Sequence, residues 1–433
     1  MSAISIGTVI DVAKALLYLA IYMQQLPADF DMQLLQISNI DAAIESYVDR
    51  VNSLVLSKEE VVCSAEGLEC LHLLAMLHIN EGSLRKGWLT FRRALDVAKL
   101  KGFRDSYITS SQQLPPSELA TRRMMWRSTI AGDCYCSLLL GLEPVLGSAP
   151  FGPESRSIFH GAPDGEEDEK FEQQFYPIVA RLAQQRFLGL HGDYDFAWRI
   201  DQDLDKLWET MTTTWQQTPT LRPGRSLESA KDYSRLMCHL WFFMTRIYVH
   251  LPFAFSTPGT SGRQCSRDRC LEASRIIINW YFTLQQEGKG HPRCKVTDIA
   301  AFLAAVTVLL AEIDHKFRDT ATLTRVPAYS SDTALLEQFI HSLEMLGQSS
   351  SREHLARQGA AALSAMTAAA RAMEGTEFHD PQECELAWQL SLGLKQENWK
   401  SGLEEVLISS FRTTVPDNSA AARIIDLAFP SVP

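Results

Sequence analysis

GSLRKGWLTFRRALDVAKLKGFRDS, residues 82–106, and ELATRRMMWRSTIAGDCYCSLLLGLEPVLG, residues 118–147, are the stretches whose reading decides the fold. In the first, Trp88, Phe91, Ala94, Leu95 and Ala98 recur at the spacing of one helical face, and Lys101-Gly102 supplies the stop. The second begins after Pro115-Pro116 and Ser117, carries the Arg122-Arg123 pair, Trp126 and Asp133, and stays apolar up to Gly141. Both stretches therefore predict helices.

The same period of 3.6 continues outward in both directions. Helical runs are predicted near 39–56, 59–79, 85–101, 117–141, 170–190, 195–215, 228–250, 268–287, 297–317, 333–347, 353–373 and 381–395. Shorter ones follow at 401–411 and 420–428, and Ser5 to Met23 reads as a further, buried helix. Pro and Gly punctuate the gaps at Pro144, Gly161 to Gly165, Pro219 to Gly224, Pro258 to Gly262 and Pro381. No alternating β-branched run is long enough for a sheet. The longest irregular segments, 144–168 and 252–266, have the size of loops and not of domain linkers. The expectation is one all-α, multi-helix domain over 1–433.

Composition narrows the function classes. With 433 residues and 46% hydrophobic content the chain can bury a large core. Its net charge of -11 argues against binding a phosphate backbone, so no nucleic acid partner is expected. The nine cysteines have no framework or zinc-cluster spacing and read as reduced thiols inside a cell. Asp11 and Lys14 interrupt the first apolar helix, and it has neither a basic start nor a cleavage site. A signal peptide and a membrane span are therefore not expected, and the location expected is cytoplasmic.

Beyond 82–147, SAEGLECLHLLAMLHINEGSLRKGWLTFRRAL (64–95), AWRIDQDLDKLWETM (197–211), CHLWFFMTRIYVHLPFAF (238–255) and CLEASRIIINWYF (270–282) follow in order. Together these stretches resemble the all-helical regulatory region of fungal zinc-cluster transcription factors. The resemblance spans about 40 to 320, with 321–433 read as C-terminal helices of the same body. Two departures stand out. Gly141-Leu142-Glu143-Pro144 replaces the usual Gly-Arg-Pro corner, and Met125-Trp126 replaces twin tryptophans. No cysteine-rich DNA-binding module precedes the helices, so the expectation is a regulator's body turned to another task.

Common catalytic signatures are missing. There is no G-x-S-x-G elbow, no dinucleotide or P-loop glycine motif, no histidine cluster and no aspartate-rich D-D-x-x-D box. Acidic positions remain. Asp201, Asp205 and Glu209 share one helical face and read as solvated. Glu312 and Asp314 read as rim residues. Asp133 stands in a strongly apolar helix, where a carboxylate must be ion-paired, hydrogen-bonded or metal-bound. Asp298 opens a helix, where an acid suits the dipole. In QQEGKGHPRCK, Lys289, Arg293 and Lys295 flank a turn before the start of helix 297–317. Either a basic surface turn or a diphosphate pocket fits these three cations.

The chain also resembles a small group of unconventional fungal sesquiterpene cyclases, the humulene synthases of tropolone-sesquiterpenoid pathways. That resemblance implies an enzyme that binds an isoprenoid diphosphate (farnesyl diphosphate) with Mg2+, in secondary metabolism, with Lys289 matching an essential lysine. Arg293 would assist at the diphosphate. The family's metal ligands find no residue-by-residue match, and Asp133 and Asp298 are the candidates on physical grounds. Mg2+ and Lys289 would neutralise the departing diphosphate, and the allylic cation would close to a macrocyclic humulene-type hydrocarbon. Trp126, Trp241, Phe242, Trp280, Tyr281 and Leu284 are the expected cavity lining. A homodimer is left open. The competing expectation is a transcriptional co-regulator or ligand sensor without a DNA-binding domain.

Overall fold

Helix starts fall where a side chain can cap free backbone N–H groups. Thr8 and Asp11 form a reciprocal capping box, with the Asp11 carboxylate accepting from the Thr8 N–H at 2.8 Å. Asn39, Ser64, Asp193, Thr212 and Ser226 each accept from the N–H three residues on. The computed structural model describes residues 8–26, 30, 32–35, 37, 39–104, 115–145, 167–190, 193–222, 226–255, 262–287, 294–319, 330–349 and 353–372. Among them are fourteen α-helices and no strand. The all-α expectation holds.

The helices are α1 (Val9–Gln24), α2 (Ile40–Val51), α3 (Glu59–Val62), α4 (Ala65–Asn80), α5 (Leu84–Leu100), α6 (Pro116–Leu140) and α7 (Glu167–Phe187). Then follow α8 (Tyr194–Thr210), α9 (Thr213–Gln216), α10 (Leu227–Ala254), α11 (Arg263–Glu287), α12 (Lys295–Asp319), α13 (Ser330–Ser349) and α14 (His354–Ala372). Two expected helices are each broken in two. The run 59–79 is interrupted at Cys63 because Ser64 caps α4, accepting from Gly67 N–H at 2.9 Å. The run 195–215 stops at Met211 because Thr212 caps the short α9. The runs expected at 381–395, 401–411 and 420–428 lie outside the described residues.

The described residues up to Phe187, with 294–296, form one compact unit, and the others from Leu188 onward form a second. In the first, α4 packs on α1 and α5, α5 on α6, and α6 on α7. Its core includes Leu17, Leu68, Leu71, Leu77, Phe91, Trp126 and Phe171. In the second, α10 packs on α11 and α8, and α13 on α14. From Thr297 to Glu312 nearly every α12 side chain is buried, the pattern of a helix apolar on all sides. No described helix is long and apolar enough to cross a membrane.

Two glycines of the opening stretch fix the α5–α6 pair. Gly141 ends α6 in the left-handed conformation at φ 65° and turns the chain into the following corner. Gly132 lets the Phe91 ring lie against the α6 backbone, where an added Cβ would sit 2.2 Å from a ring carbon. Gly132→Ala is expected to cost roughly 1–3 kcal/mol by overpacking, despite alanine's better helix propensity. Thermal unfolding measures the loss, which should shrink in a Phe91→Leu background. An undiminished loss there would place the strain elsewhere.

Candidate functional site

In the first unit, the Asp133 carboxylate of α6 is buried and sits between two partners. Arg92 Nε of α5 lies 2.9 Å from one oxygen, close as an ion pair but without the alignment of a hydrogen bond. The other oxygen accepts from the Val145 N–H at 2.9 Å. Arg92 also donates to the Glu143 carbonyl, and its guanidinium lies 4.4 Å from the Trp88 ring centre. Trp88 Nε1 in turn donates to Ser137 Oγ at 3.0 Å. The Gly141-Leu142-Glu143-Pro144 corner is thus fastened to α5 by Arg92 and to α6 by Asp133. Burial pushes the Asp133 carboxyl above its ordinary value, and the Val145 N–H and Arg92 oppose that without cancelling it. Of the three ways to accommodate Asp133, the structure realises ion pairing and hydrogen bonding.

The second unit holds a denser cluster, and there the expectation of a solvated face is corrected. Asp201 of α8 is 1% exposed. Arg246 Nε lies 2.9 Å from one of its oxygens, and His250 Nε2 and Arg269 Nε lie 3.3 and 3.4 Å from the other. Asp205, one turn on, pairs with Arg246 and with Arg269 at 2.9 Å. Only Glu209 faces solvent as expected. Ser266 Oγ and His250 Nδ1 are 3.1 Å apart, so α8, α10 and α11 meet in one polar seam. Burial raises the Asp201 carboxyl, but contact with His250 and the charges of Arg246 and Arg269 outweigh it and hold it below its ordinary value. The sequence signal for this seam was available: Arg246 and His250 stand four apart inside the apolar run WFFMTRIYVHLPF.

The expected cavity residues are divided between the units. Trp126 is fully buried in the first. In the second, Phe242 and Trp280 belong to a packed aromatic cluster. Its ring centres include Trp208–Phe242 at 4.7 Å, Trp208–His239 at 4.9 Å and Phe243–Trp280 at 5.3 Å. His239 donates through Nε2 to the Trp215 carbonyl at 2.9 Å, and burial pushes its pKa down to about 4, so it is neutral. Tyr281 packs edge-on against Phe339, and Trp241 and Leu284 are half-buried. An open hollow of about 400 Å³ lies along α2 and the turn after it, lined by Ala42, Glu45, Ser46, Asp49, Arg50 and Ser53, none of them expected.

Lys289 and Arg293 lie outside the described residues. Asp298 and Lys295 are half-buried at the start of α12, and Asp298 belongs to a different unit from Asp133. Among the described residues no three His, Cys, Asp or Glu side chains converge as a metal site.

Several curated fungal proteins are similar to this chain. A dehydrocurvularin biosynthesis regulator of Aspergillus terreus is 27% identical over 365 residues, 82% of this chain and 49% of that protein. One of the same description from Alternaria cinerariae is 27% identical over 335 residues, 76% of this chain and 43% of that protein. The transcription factor sdnS of Sordaria araneosa is 28% identical over 346 residues, 77% of this chain and 43% of that protein. The chain therefore spans less than half the length of these three relatives. No family model matches it, and no solved structure matches it significantly. These relatives overturn the expectation of a sesquiterpene cyclase and of any lyase activity, because they are named as regulators and not as enzymes. The resemblance to fungal transcriptional regulators stands, and the resemblance to cyclases is without support.

The two carboxylates make opposite predictions. Arg92→Ala leaves Asp133 buried without its cation and should cost about 2–3 kcal/mol, with Asp133→Asn in that background recovering part of it. Denaturant unfolding of the single and double variants checks this; a double variant no better than the single would refute the pairing. Asp201, with its lowered value, stabilises fully above the ordinary carboxyl pKa of about 4 and loses that contribution as pH falls through the lowered value. Asp201→Asn should cost roughly 3–5 kcal/mol at neutral pH. It should also flatten the acid side of the stability profile, and an acid limb parallel to that of the unaltered chain would rule out Asp201 as its source.

Proposed function

We propose that this chain is a regulator of fungal secondary-metabolite gene expression, its helical body acting as a co-regulator or ligand-sensing region. The carrying observation is similarity over 76–82% of the chain to proteins named as biosynthesis regulators or a transcription factor. A match of that length takes in residues of both units, and it is the reason the regulatory reading is preferred to catalysis. Charge is consistent with it: Asp133 and Asp201 are each neutralised by arginine of their own unit, as a structural element requires. In this reading the place of action is the nucleus, and the cytoplasmic location expected alongside the cyclase is given up.

Deleting the gene in its host and sequencing transcripts tests the proposal. A discrete set of biosynthetic genes should change several-fold in abundance and return on re-expression. An unaltered transcript profile, under conditions in which the protein is made, would defeat it. In parallel, a fluorescent fusion should concentrate in the nucleus.

A further inference from the structure

Between α2 and α3 the chain passes through a π-helical turn, Asn52–Leu56, and then through Ser57 and Lys58. Val55, Leu56 and Val62 are buried and fasten this link on both sides, whereas Ser57, Lys58, Glu59 and Glu60 are all exposed. Ser57-Lys58-Glu59-Glu60 thus presents a hydroxyl with carboxylates two and three positions after it. Neither Glu59 nor Glu60 makes an ion pair among the described residues, so both are open to a cationic partner. Acids at a helix start suit the dipole, which accounts for their presence at α3 but not for what stands beside Ser57.

Arg93 of α5 donates to the carbonyl of Leu56, the residue directly before Ser57. A guanidinium has several N–H donors, and Arg93 makes no ion pair among the described residues. Covalent geometry keeps the Ser57 Cβ within about 7 Å of that guanidinium. The Ser57 hydroxyl itself donates to the Ser53 carbonyl at 3.1 Å, a bond that one rotation about χ1 releases. A phosphate on Ser57 would bring nearly two negative charges and three acceptor oxygens within reach of Arg93. An exposed acceptor, an acidic recognition signal and a cation with donors to spare therefore meet in one link.

We propose that Ser57 is a phosphorylation site for an acid-directed protein kinase, and that Arg93 receives the phosphate. Basic subsites of the kinase meet Glu59 and Glu60. Ser57 Oγ attacks the γ-phosphorus of ATP, the bond to the β–γ bridging oxygen breaks, and ADP leaves with that electron pair. The hydroxyl proton passes to the kinase's base. A kinase takes its substrate extended; Lys58 already is, at φ -106° and ψ 105°, and α3 is a single turn with only Val62 buried, so little structure has to open. The phosphate then ties the α2–α3 link to α5 through a charge-assisted bond, where the unmodified chain offers Arg93 a neutral carbonyl. This inference stands apart from the regulatory reading above.

The test treats the full chain with ATP, Mg2+ and a casein-kinase-II-type enzyme, and locates phosphate by fragmentation mass spectrometry of the tryptic peptide 51–58. Phosphate on Ser57 is expected. Glu59→Gln with Glu60→Gln should slow its incorporation about tenfold. Ser57→Ala should abolish it, and Ser53→Ala should leave it unaltered. Phosphorus NMR titration of the modified chain reads the partner: the second pKa of phosphoserine, about 6 when free of partners, should lie higher in Arg93→Gln than in the unaltered chain. Arg93→Lys, which keeps the charge, should restore most of the difference. Circular dichroism confirms that each variant keeps its helix content. No phosphate on Ser57, phosphate only on the urea-unfolded chain, or incorporation indifferent to the Glu59 and Glu60 changes overturns the site. A phosphoserine titration unmoved by Arg93→Gln overturns the part given to Arg93.

Discussion

A carboxylate taken out of water among apolar helices must bring a compensating charge with it, because leaving it alone costs several kcal/mol or more. Each unit of this protein contains such a carboxylate, and each solves the constraint with arginine. In the first, Asp133 and Arg92 tie α6 to α5 and hold the corner that follows α6. In the second, Asp201 and Asp205 of α8 take Arg246 of α10 and Arg269 of α11. Guanidinium suits both places. It is always charged, it donates in several directions, and its planar face rests on Trp88 in one case and Phe242 in the other. The helices could slide along their apolar contacts at little cost, but these polar links have one register.

The two links differ in how far the environment has been compensated. Asp133 has one cation and one backbone donor, and burial still dominates, so its carboxyl is raised. Asp201 has two arginines and a histidine, and they more than offset burial. The Asp201 link is therefore the more sensitive to acid of the two, and its seam is continuous with Ser266 through His250. Around that seam the aromatic cluster of Trp208, Trp215, His239, Phe242, Phe243 and Trp280 fills its own space in edge-on and tilted contacts. Aromatic richness on α10 and α11 thus has a structural use that the sequence could equally have assigned to a cation-stabilising cavity.

Helix existence was legible because the 3.6-residue period is strong and the caps are explicit. Ser226, for instance, precedes α10 and Asp193 precedes α8. The breaks at Ser64 and Thr212 were less visible, since a capping residue inside an apolar periodic run competes with continuing the helix. The dilemma of Asp133 was legible too, because its neighbours are apolar on every side. The burial of Asp201 was not, because α8 is amphipathic and its period fits a solvated face as well as one turned toward Arg246. The partner's side of the same contact was the better clue: an arginine and a histidine four apart in WFFMTRIYVHLPF have no solvent face to choose.

Function was harder to read for a related reason. Lys289, Arg293 and Lys295 beside a helix start satisfy the chemistry of an anion site and equally that of an ordinary basic turn. A constellation with two physical explanations cannot select an activity, and the curated regulators settle the choice against the enzyme. The buried ion pairs of α5 with α6, and of α8 with α10 and α11, explain how this scaffold keeps its register.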